Sequence, residues 1–411
     1  MDASLAGSIL AVGVAVGIIV VLVCCVLLVR NRLLPDGLTQ LSVNQREAID
    51  VQVGRTLLES LSDQGILLPA ACGGRGNCGQ CQVMVRSGGG ESLPNERVHL
   101  SRKDIAAGLR LACMLTVREP IDIWLPKGLV DVKKRPFRVA SNTQVTPFMT
   151  ELVLEPVDGE DFNFKAGQYA LIEAPPHHLA YKDFDLEPDY LPSWQEAGLQ
   201  ELESMSRAVT QRAYSMANAP HDGLRPTFVV RIALPPANAV EDVPPGVVSS
   251  WIFGLKTAAS VMLTGPFGGF GVQDSAREIV LIAGGAGIAP IRSIILDQLS
   301  LGTGRKMSFW YGVRNAREIC FADEFTELAA RHANFYWHAA LSEPRADSDW
   351  TGHRGFIHNV VRDNYLDAHQ APEDLEYYLC GPPVMSAAVT EMLLELGVER
   401  SSIYFDDFGG G

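Results

Sequence analysis

LPAACGGRGNCGQCQVMV, residues 68–85, and GLRLACMLTV, residues 108–117, contain four of the chain's eight cysteines. Cys72, Cys78 and Cys81 are spaced Cys-x5-Cys-x2-Cys, and residues 82–112 separate Cys81 from Cys113. Gly73, Gly74, Gly76 and Gly79 let the backbone wrap tightly and turn its N–H groups inward. A structural zinc site favours two separated Cys-x2-Cys pairs, and only one such pair exists here. Three clustered thiolates plus one remote thiolate instead suit a [2Fe–2S] cluster, which makes Cys72, Cys78, Cys81 and Cys113 the candidate metal ligands.

Working outward, TQLSVNQ and EAIDVQV alternate apolar and polar positions as two short strands, and Thr56–Asp63 has helical spacing through Leu57, Leu58 and Leu61. With the cysteine loop, this stretch resembles a β-grasp ferredoxin domain over residues 36–128. The first gap is one residue longer than the plant-type x4 spacing. Upstream, no charged residue falls between Asp2 and Arg30. An apolar run of roughly 20 residues spans a bilayer as a helix, so residues 1–33 read as an uncleaved transmembrane anchor. The flank before it lacks the positive charge of a signal peptide. Arg30 and Arg32 follow the run, which places the bulk of the chain in the cytoplasm. Cys24 and Cys25 near that edge read as inert and lipid-facing.

LPKGLVDVKKRP, residues 125–136, reads as a linker. Beyond it FRVASNTQV, TELVLEPV, AGQYALIEA and TFVVRIAL are repeated short strands, the mark of a barrel or sandwich over residues 134–270. Within it lie Arg212-Ala-Tyr-Ser-Met-Ala-Asn218 and Gly246-Val-Val-Ser249. An Arg beside Tyr and Ser can pair with a pyrophosphate, cover a flavin ring and hydrogen-bond its edge; it can also be an ordinary strand with a surface Arg. A Gly-x-x-Ser entering a helix offers N–H groups to phosphate. From residue 275 to 411 strands alternate with helices (REIVLIA, GGAGIAP, IRSIILDQL and onward), the pattern of a doubly wound parallel sheet with ligands at its carboxyl edge. GGAGIAP keeps Gly285 and Gly287 of a dinucleotide turn, but no acid stands near 305 to read a ribose; Arg305 and Lys306 are there. Arg314 and Arg317 leave a 2′-phosphate open, with surface salt bridges as the commoner explanation.

These motifs resemble the ferredoxin–NADP reductase superfamily. The resemblance implies FAD bound through Arg212, Tyr214, Ser215, Asn218, Gly246, Val247, Val248 and Ser249. It implies a nicotinamide nucleotide at Gly265, Pro266, Gly285, Gly287, Ile288, Pro290, Cys380 and Gly381, with Tyr214, Ser215 and Cys380 at the reacting centre.

The whole module order is multidomain α+β and α/β: anchor, [2Fe–2S] ferredoxin domain, antiparallel FAD barrel and NADH domain, ending YFDDFGGG. It resembles the family of F subunits of sodium-translocating NADH:quinone reductases. That family implies NADH as substrate and Phe408 near the flavin. It implies hydride transfer to FAD, then single electrons to the cluster and on to partner subunits and ubiquinone. Sodium transport by a complex in the bacterial inner membrane follows from the same resemblance. The alternative is the reductase component of an oxygenase. An insertion at 177–206 carries Asp183, Asp185, Glu187, Asp189, Glu196, Glu201 and Glu203 against Lys182 alone; it reads as a solvated loop or a docking surface. A net charge of −14 leaves no basic surplus for nucleic acid.

Overall fold

A computed structural model describes residues 13–14, 16–25, 37–70, 72–126, 129, 132–223, 225–235, 243–344 and 349–406. They fall into two compact units divided between Asp131 and Val132. Of the expected anchor, residues 13, 14 and 16–25 are helical and exposed, Val14 through Val23 among them. The rest of residues 1–33 lies outside the described residues. Among the described residues no helix is long and apolar enough to cross a membrane.

The first unit is a mixed sheet gripping a helix. Strands β1 (Leu38–Val43), β2 (Ile49–Gln52), β3 (Gln82–Ser87), β4 (Leu109–Leu111) and β5 (Ile121–Trp124) take the order β2-β1-β5-β3-β4, with β1 and β5 parallel. Helix α1 (Leu57–Asp63) starts at a capping box. The Thr56 hydroxyl accepts the Glu59 N–H while the Glu59 carboxylate accepts the Thr56 N–H, which contributes about 0.5–2 kcal/mol. Its Leu57 and Leu61 are fully buried against Leu41, Leu111 and Ile123. A short helix α2 (Arg102–Ala106) follows a turn built on Glu96.

That turn rests on a buried ion pair. Glu96 is wholly buried and Arg110 nearly so. The carboxylate accepts Arg110 Nε and Nη2 at 2.9 Å each and the N–H groups of Leu111 at 2.9 Å and Leu93 at 2.7 Å. Arg110 also donates to the carbonyls of Gly89, Gly90 and Glu91. One side-chain pair therefore pins residues 89–96 against β4.

The second unit joins a barrel to a parallel sheet. The barrel strands are β6 (Lys133–Thr146), β7 (Met149–Pro156), β8 (Tyr169–Ala174), β11 (Thr210–Ser215), β12 (Thr227–Arg231) and β13 (Ser260–Phe267), ordered β11-β8-β13-β6-β7-β12 and antiparallel throughout. A bridge between Met216 and Phe228 brings the two edge strands together. Strand β6 opens at Lys133, so residues 133–136, read as linker from composition, belong to the barrel. Pro136 pairs with Met262 inside the β6–β13 ladder, and it is tolerated because its hydrogen-bonding side faces β7, where the ladder begins only at Phe137.

The acidic insertion is a folded piece, not a solvated loop. Strands β9 (His177–Ala180) and β10 (Glu203–Ser206) pair antiparallel around α3 (Leu191–Glu196). Tyr181, Trp194 and Leu199 form its own core with Ile232, and Trp194 Nε1 donates to the Pro147 carbonyl at 2.6 Å. The acids face outward because this core takes the apolar face.

In the nucleotide half, β14 (Ile279–Gly284), β15 (Met307–Val313), β16 (Phe335–Leu341), β17 (His353–Arg354), β18 (Glu376–Cys380) and β19 (Ile403–Asp406) are parallel and ordered β17-β16-β15-β14-β18-β19. Every residue of β14 and β18 is buried, as expected where helices cover both faces. The strand order reverses at β14, which puts a ligand crevice at its carboxyl end. Barrel and sheet share a core through Met149, Ala217 and Val229. On α5 (Ile288–Ser300), Arg292 pairs with Glu324 and donates to the Ala217 carbonyl, and Ser293 donates to that of Asn218.

Candidate functional site

The cysteine loop runs through four left-handed glycines, Gly73, Gly74, Gly76 and Gly79, with φ between 66° and 81°. Two of them also lack room for a side chain. A Cβ on Gly76 would lie 2.6 Å from Met114 Sδ, and one on Gly79 would lie 2.8 Å from His99. His99 Nε2 in turn meets the Gly76 carbonyl at 2.9 Å. The four sulfurs gather in two pairs. Cys72 and Cys78 sulfurs are 3.4 Å apart, while the Cys113 N–H donates to Cys81 Sγ across 3.5 Å. Among the described residues no group of three or more His, Cys, Asp or Glu side chains is placed to hold a single metal ion. A two-by-two arrangement fits a two-iron cluster, in which each iron takes two of the four thiolates.

The loop already favours thiolate at Cys72. Burial opposes the charge, yet N–H groups of Asn77, Cys78 and Arg75, with the Cys78 thiol, bring it down to about 7. Cys81 moves up, because the Cys113 thiol and burial both favour its neutral form. The donated bond correspondingly lowers Cys113 against the opposing effect of burial.

In the barrel, β11 alternates so that Arg212 and Tyr214 share one face and Ser215 the other. The Arg212 guanidinium is exposed, donating to the neighbouring Gln211 carbonyl. Burial pushes the Tyr214 hydroxyl well up against the counter-effect of Arg212. Ser215 is buried, and its hydroxyl donates to Asp406 Oδ2 at 3.0 Å. Helix α4 (Val247–Phe253) packs on β11 and begins at Gly246, where a Cβ would come within 2.6 Å of Ala233 Cβ. Val247, Val248 and Ser249 therefore open a helix whose first N–H groups have no partner inside it. The Ser249 hydroxyl is engaged with the Ala233 N–H and the Gly246 carbonyl. An exposed guanidinium beside a helix start on the barrel wall fits a pyrophosphate-bearing flavin. Asn218 contributes no free polar atom, since its amide closes the turn to Thr227 and Ala219.

The crevice at the carboxyl ends of β14, β15, β16 and β18 is a cavity of about 640 Å³ lined by Gly285, Gly287, Gly312, Ser342 and Gly381. A Cβ on Gly287 would stand 2.0 Å from the Cys380 carbonyl oxygen, and one on Gly381 would stand 2.5 Å from Met385 Cε. This glycine cradle lets backbone approach an extended, phosphate-bearing ligand. Ile288 and Pro290 are buried in the first turn of α5 and do not line it. Gly265 and Pro266 lie on β13, also off its wall. Cys380 is fully buried, its sulfur 3.6 Å from the Asp406 carbonyl, and lies behind the wall that Gly381 forms. Phe408 lies outside the described residues.

Two residues escaped the motifs. Asp406 joins the barrel serine to the nucleotide sheet. Glu318 lines the cavity, nearly buried, and accepts Arg231 Nη1 and Arg314 Nε at 3.0 Å each. Arg314 is thus in an ion pair, while Arg317 hydrogen-bonds Ser193 of the insertion. An acid after the second strand was the available signal; the expected position near 305 was too early. Arg305 is committed elsewhere, to Glu376.

Residues 41–118 match the 2Fe-2S iron-sulfur cluster binding domain, and residues 281–391 match the oxidoreductase NAD-binding domain. The chain is 45% identical to the F subunit of the Na(+)-translocating NADH-quinone reductase of Pseudomonas aeruginosa over 98% of both chains. It is equally identical to that of Serratia proteamaculans, over 98% of this chain and 99% of the relative. Among solved structures it is similar to a cytochrome P450 reductase from Amycolatopsis, with TM-score 0.63 and 24% identity over 90% of this chain and 98% of that one. It is also similar to the ferredoxin reductase in carbazole 1,9a-dioxygenase, with TM-score 0.58 and 25% identity over 91% and 99%.

Proposed function

The chain belongs to the family of F subunits of Na(+)-translocating NADH-quinone reductases, and from that premise we propose how its residues divide the work. It is an oxidoreductase that takes electrons from NADH, with FAD and a [2Fe–2S] cluster as cofactors. When bound, FAD accepts a hydride from NADH and the cluster carries single electrons onward.

Cys72, Cys78, Cys81 and Cys113 hold the cluster in residues 36–128. In residues 134–270, Arg212 and the α4 start receive the flavin pyrophosphate, Tyr214 covers the ring, and Ser215 hydrogen-bonds its edge. In residues 275–411, the cradle of Gly285, Gly287 and Gly381 receives the dinucleotide, and Cys380 lies beside the nicotinamide end. The observation that carries this reading is the Ser215–Asp406 hydrogen bond of 3.0 Å. It brings the flavin-edge hydroxyl to the strand beside Cys380, where the two ligands must meet.

Residues 1–33 act as a single-pass anchor in the bacterial inner membrane, with the other residues cytoplasmic. Support comes from the exposed, uncharged helical residues 16–25, since a continuous apolar surface of that kind needs a covering. The partners are the other subunits of the complex, with ubiquinone and sodium ions reached through them. In the test, Cys78→Ser protein should lose the reduced-state EPR signal of the cluster while NADH still bleaches the flavin absorbance. Failure of NADH to bleach the flavin in the parent protein refutes the assignment.

A further inference from the structure

The two ends of the cavity differ in chemistry. Behind the Gly381 wall, outside the lining itself, β18 and β19 bring Cys380 against Asp406, whose carboxylate holds Ser215. The hydride-donating ring has to reach that end. A dinucleotide crossing Gly285–Gly287 therefore extends its adenosine the other way, over β15 and β16, past Gly312, Val313 and Ser342. Between that end and the Gly285 turn, where Arg231 Nη1 lies 3.8 Å from a Cβ built on Gly285, two guanidinium groups meet on one carboxylate. Glu318, 3% exposed, accepts Arg231 Nη1 on Oε2 at 3.0 Å. Its Oε1 accepts Arg314 Nε at 3.0 Å and Asn315 Nδ2 at 3.2 Å.

We propose that Glu318 sets the preference for NADH over NADPH by tying up the guanidinium groups of Arg314 and Arg231, which would otherwise receive a 2′-phosphate. In dinucleotide folds an acid after the second strand commonly binds the ribose itself, and an arginine nearby accommodates the phosphate. Here both Glu318 oxygens already have donors, so it acts through the arginines and is a positioning residue. A 2′-phosphate entering this end meets guanidinium groups whose charge the buried Glu318 carboxylate behind them already balances. The competing role for Glu318 is a plain cross-link, since Arg231 comes from the barrel and Arg314 from the sheet.

The inference rests on this cavity being the nucleotide site, and the experiment separates the two. Full-length, flavin-loaded protein is titrated calorimetrically with 5′-ADP and with 2′,5′-ADP, and kcat and KM are measured for NADH and NADPH. In Glu318→Gln, affinity for 2′,5′-ADP relative to 5′-ADP should rise about tenfold or more, the size of one charge-assisted hydrogen bond. The kcat/KM ratio of NADPH to NADH should rise with it, through KM, and Arg314→Ala in the same background should reverse the gain. Loss of both nucleotides alike, with the ratio unchanged, makes Glu318 a cross-link and overturns the proposal. Arg314→Ala alone gives a second test that truncates a side chain 52% exposed and leaves the Arg231 bond to Glu318 in place. It should leave the ratio unchanged, and a fall in NADPH use would show that Arg314 already serves a phosphate. Absence of any 5′-ADP binding to the parent protein would overturn the site itself.

Discussion

Replacing Glu96 by Gln keeps the shape of the side chain and removes its charge, leaving Arg110 buried beside a neutral amide. The carboxylate accepts five hydrogen bonds, three from Arg110, whose Nε is shared between both oxygens, and two from backbone N–H groups. Breaking a buried pair from one side costs about 3–5 kcal/mol. For a domain the size of residues 37–126, each kcal/mol moves the midpoint by about 4–8 °C, so the loss is at least ~12 °C. Calorimetry of the full-length protein, with cluster absorbance followed in parallel, reads that transition. The double replacement Glu96→Met with Arg110→Met should recover only part of the loss. Arg110 also anchors the Gly89, Gly90 and Glu91 carbonyls, and methionine cannot. Acid provides an independent arm. Burial on its own would raise the Glu96 carboxyl, but Arg110 and the N–H groups of Leu111 and Leu93 outweigh it and hold the group below its ordinary 4.5. A carboxyl lowered in the folded state stabilises fully above the unfolded value and loses that contribution as pH falls through the folded one. The parent unit should therefore lose stability below pH 4.5 more steeply than Glu96→Gln. A midpoint for Glu96→Gln within about 2 °C of the parent, against the slope used above, refutes the reasoning.

Gly287→Ala drives a methyl group to 2.0 Å from the Cys380 carbonyl, with Gly381 N at 2.7 Å, and neither backbone can yield. kcat/KM for NADH should fall roughly 10²-fold, the penalty of about 1 Å of misplacement, with the flavin spectrum unchanged. Trp194→Ala removes a fully buried ring and the donor to Pro147, costing the insertion about 3–5 kcal/mol. Limited proteolysis should then cut within 177–206 while NADH still reduces the flavin, and an unchanged cleavage pattern would mean the insertion does not depend on this core.

Local chemistry was legible in the sequence and distant contacts were not. The glycine-rich cysteine loop, the glycine turn and the strand–helix alternation each depend on neighbours a few residues away, and short-range spacing and apolar periodicity carry that information. Residues 133–136 were misread because Pro and Lys look like linker, although a proline at the end of a ladder loses little. The Ser215–Asp406 bond spans 191 positions and the Arg231–Glu318 pair spans 87. Nothing local marks either pair, since each exists only after the barrel and sheet have docked. The insertion's core was hidden for the same reason: its tryptophan meets Ile232 and Pro147, which lie outside the insertion itself.

The reach from Ser215 to Asp406 also orders events in time. At about 5–20 residues per second, a ribosome takes roughly 10–40 s to travel from one to the other. All six barrel strands, complete by Phe267, are made well inside that interval. A nascent chain can therefore complete the barrel strands before the Ser215 hydroxyl has Asp406 to hold it. That hydroxyl is held only once the sheet's outermost strand, β19, is in place.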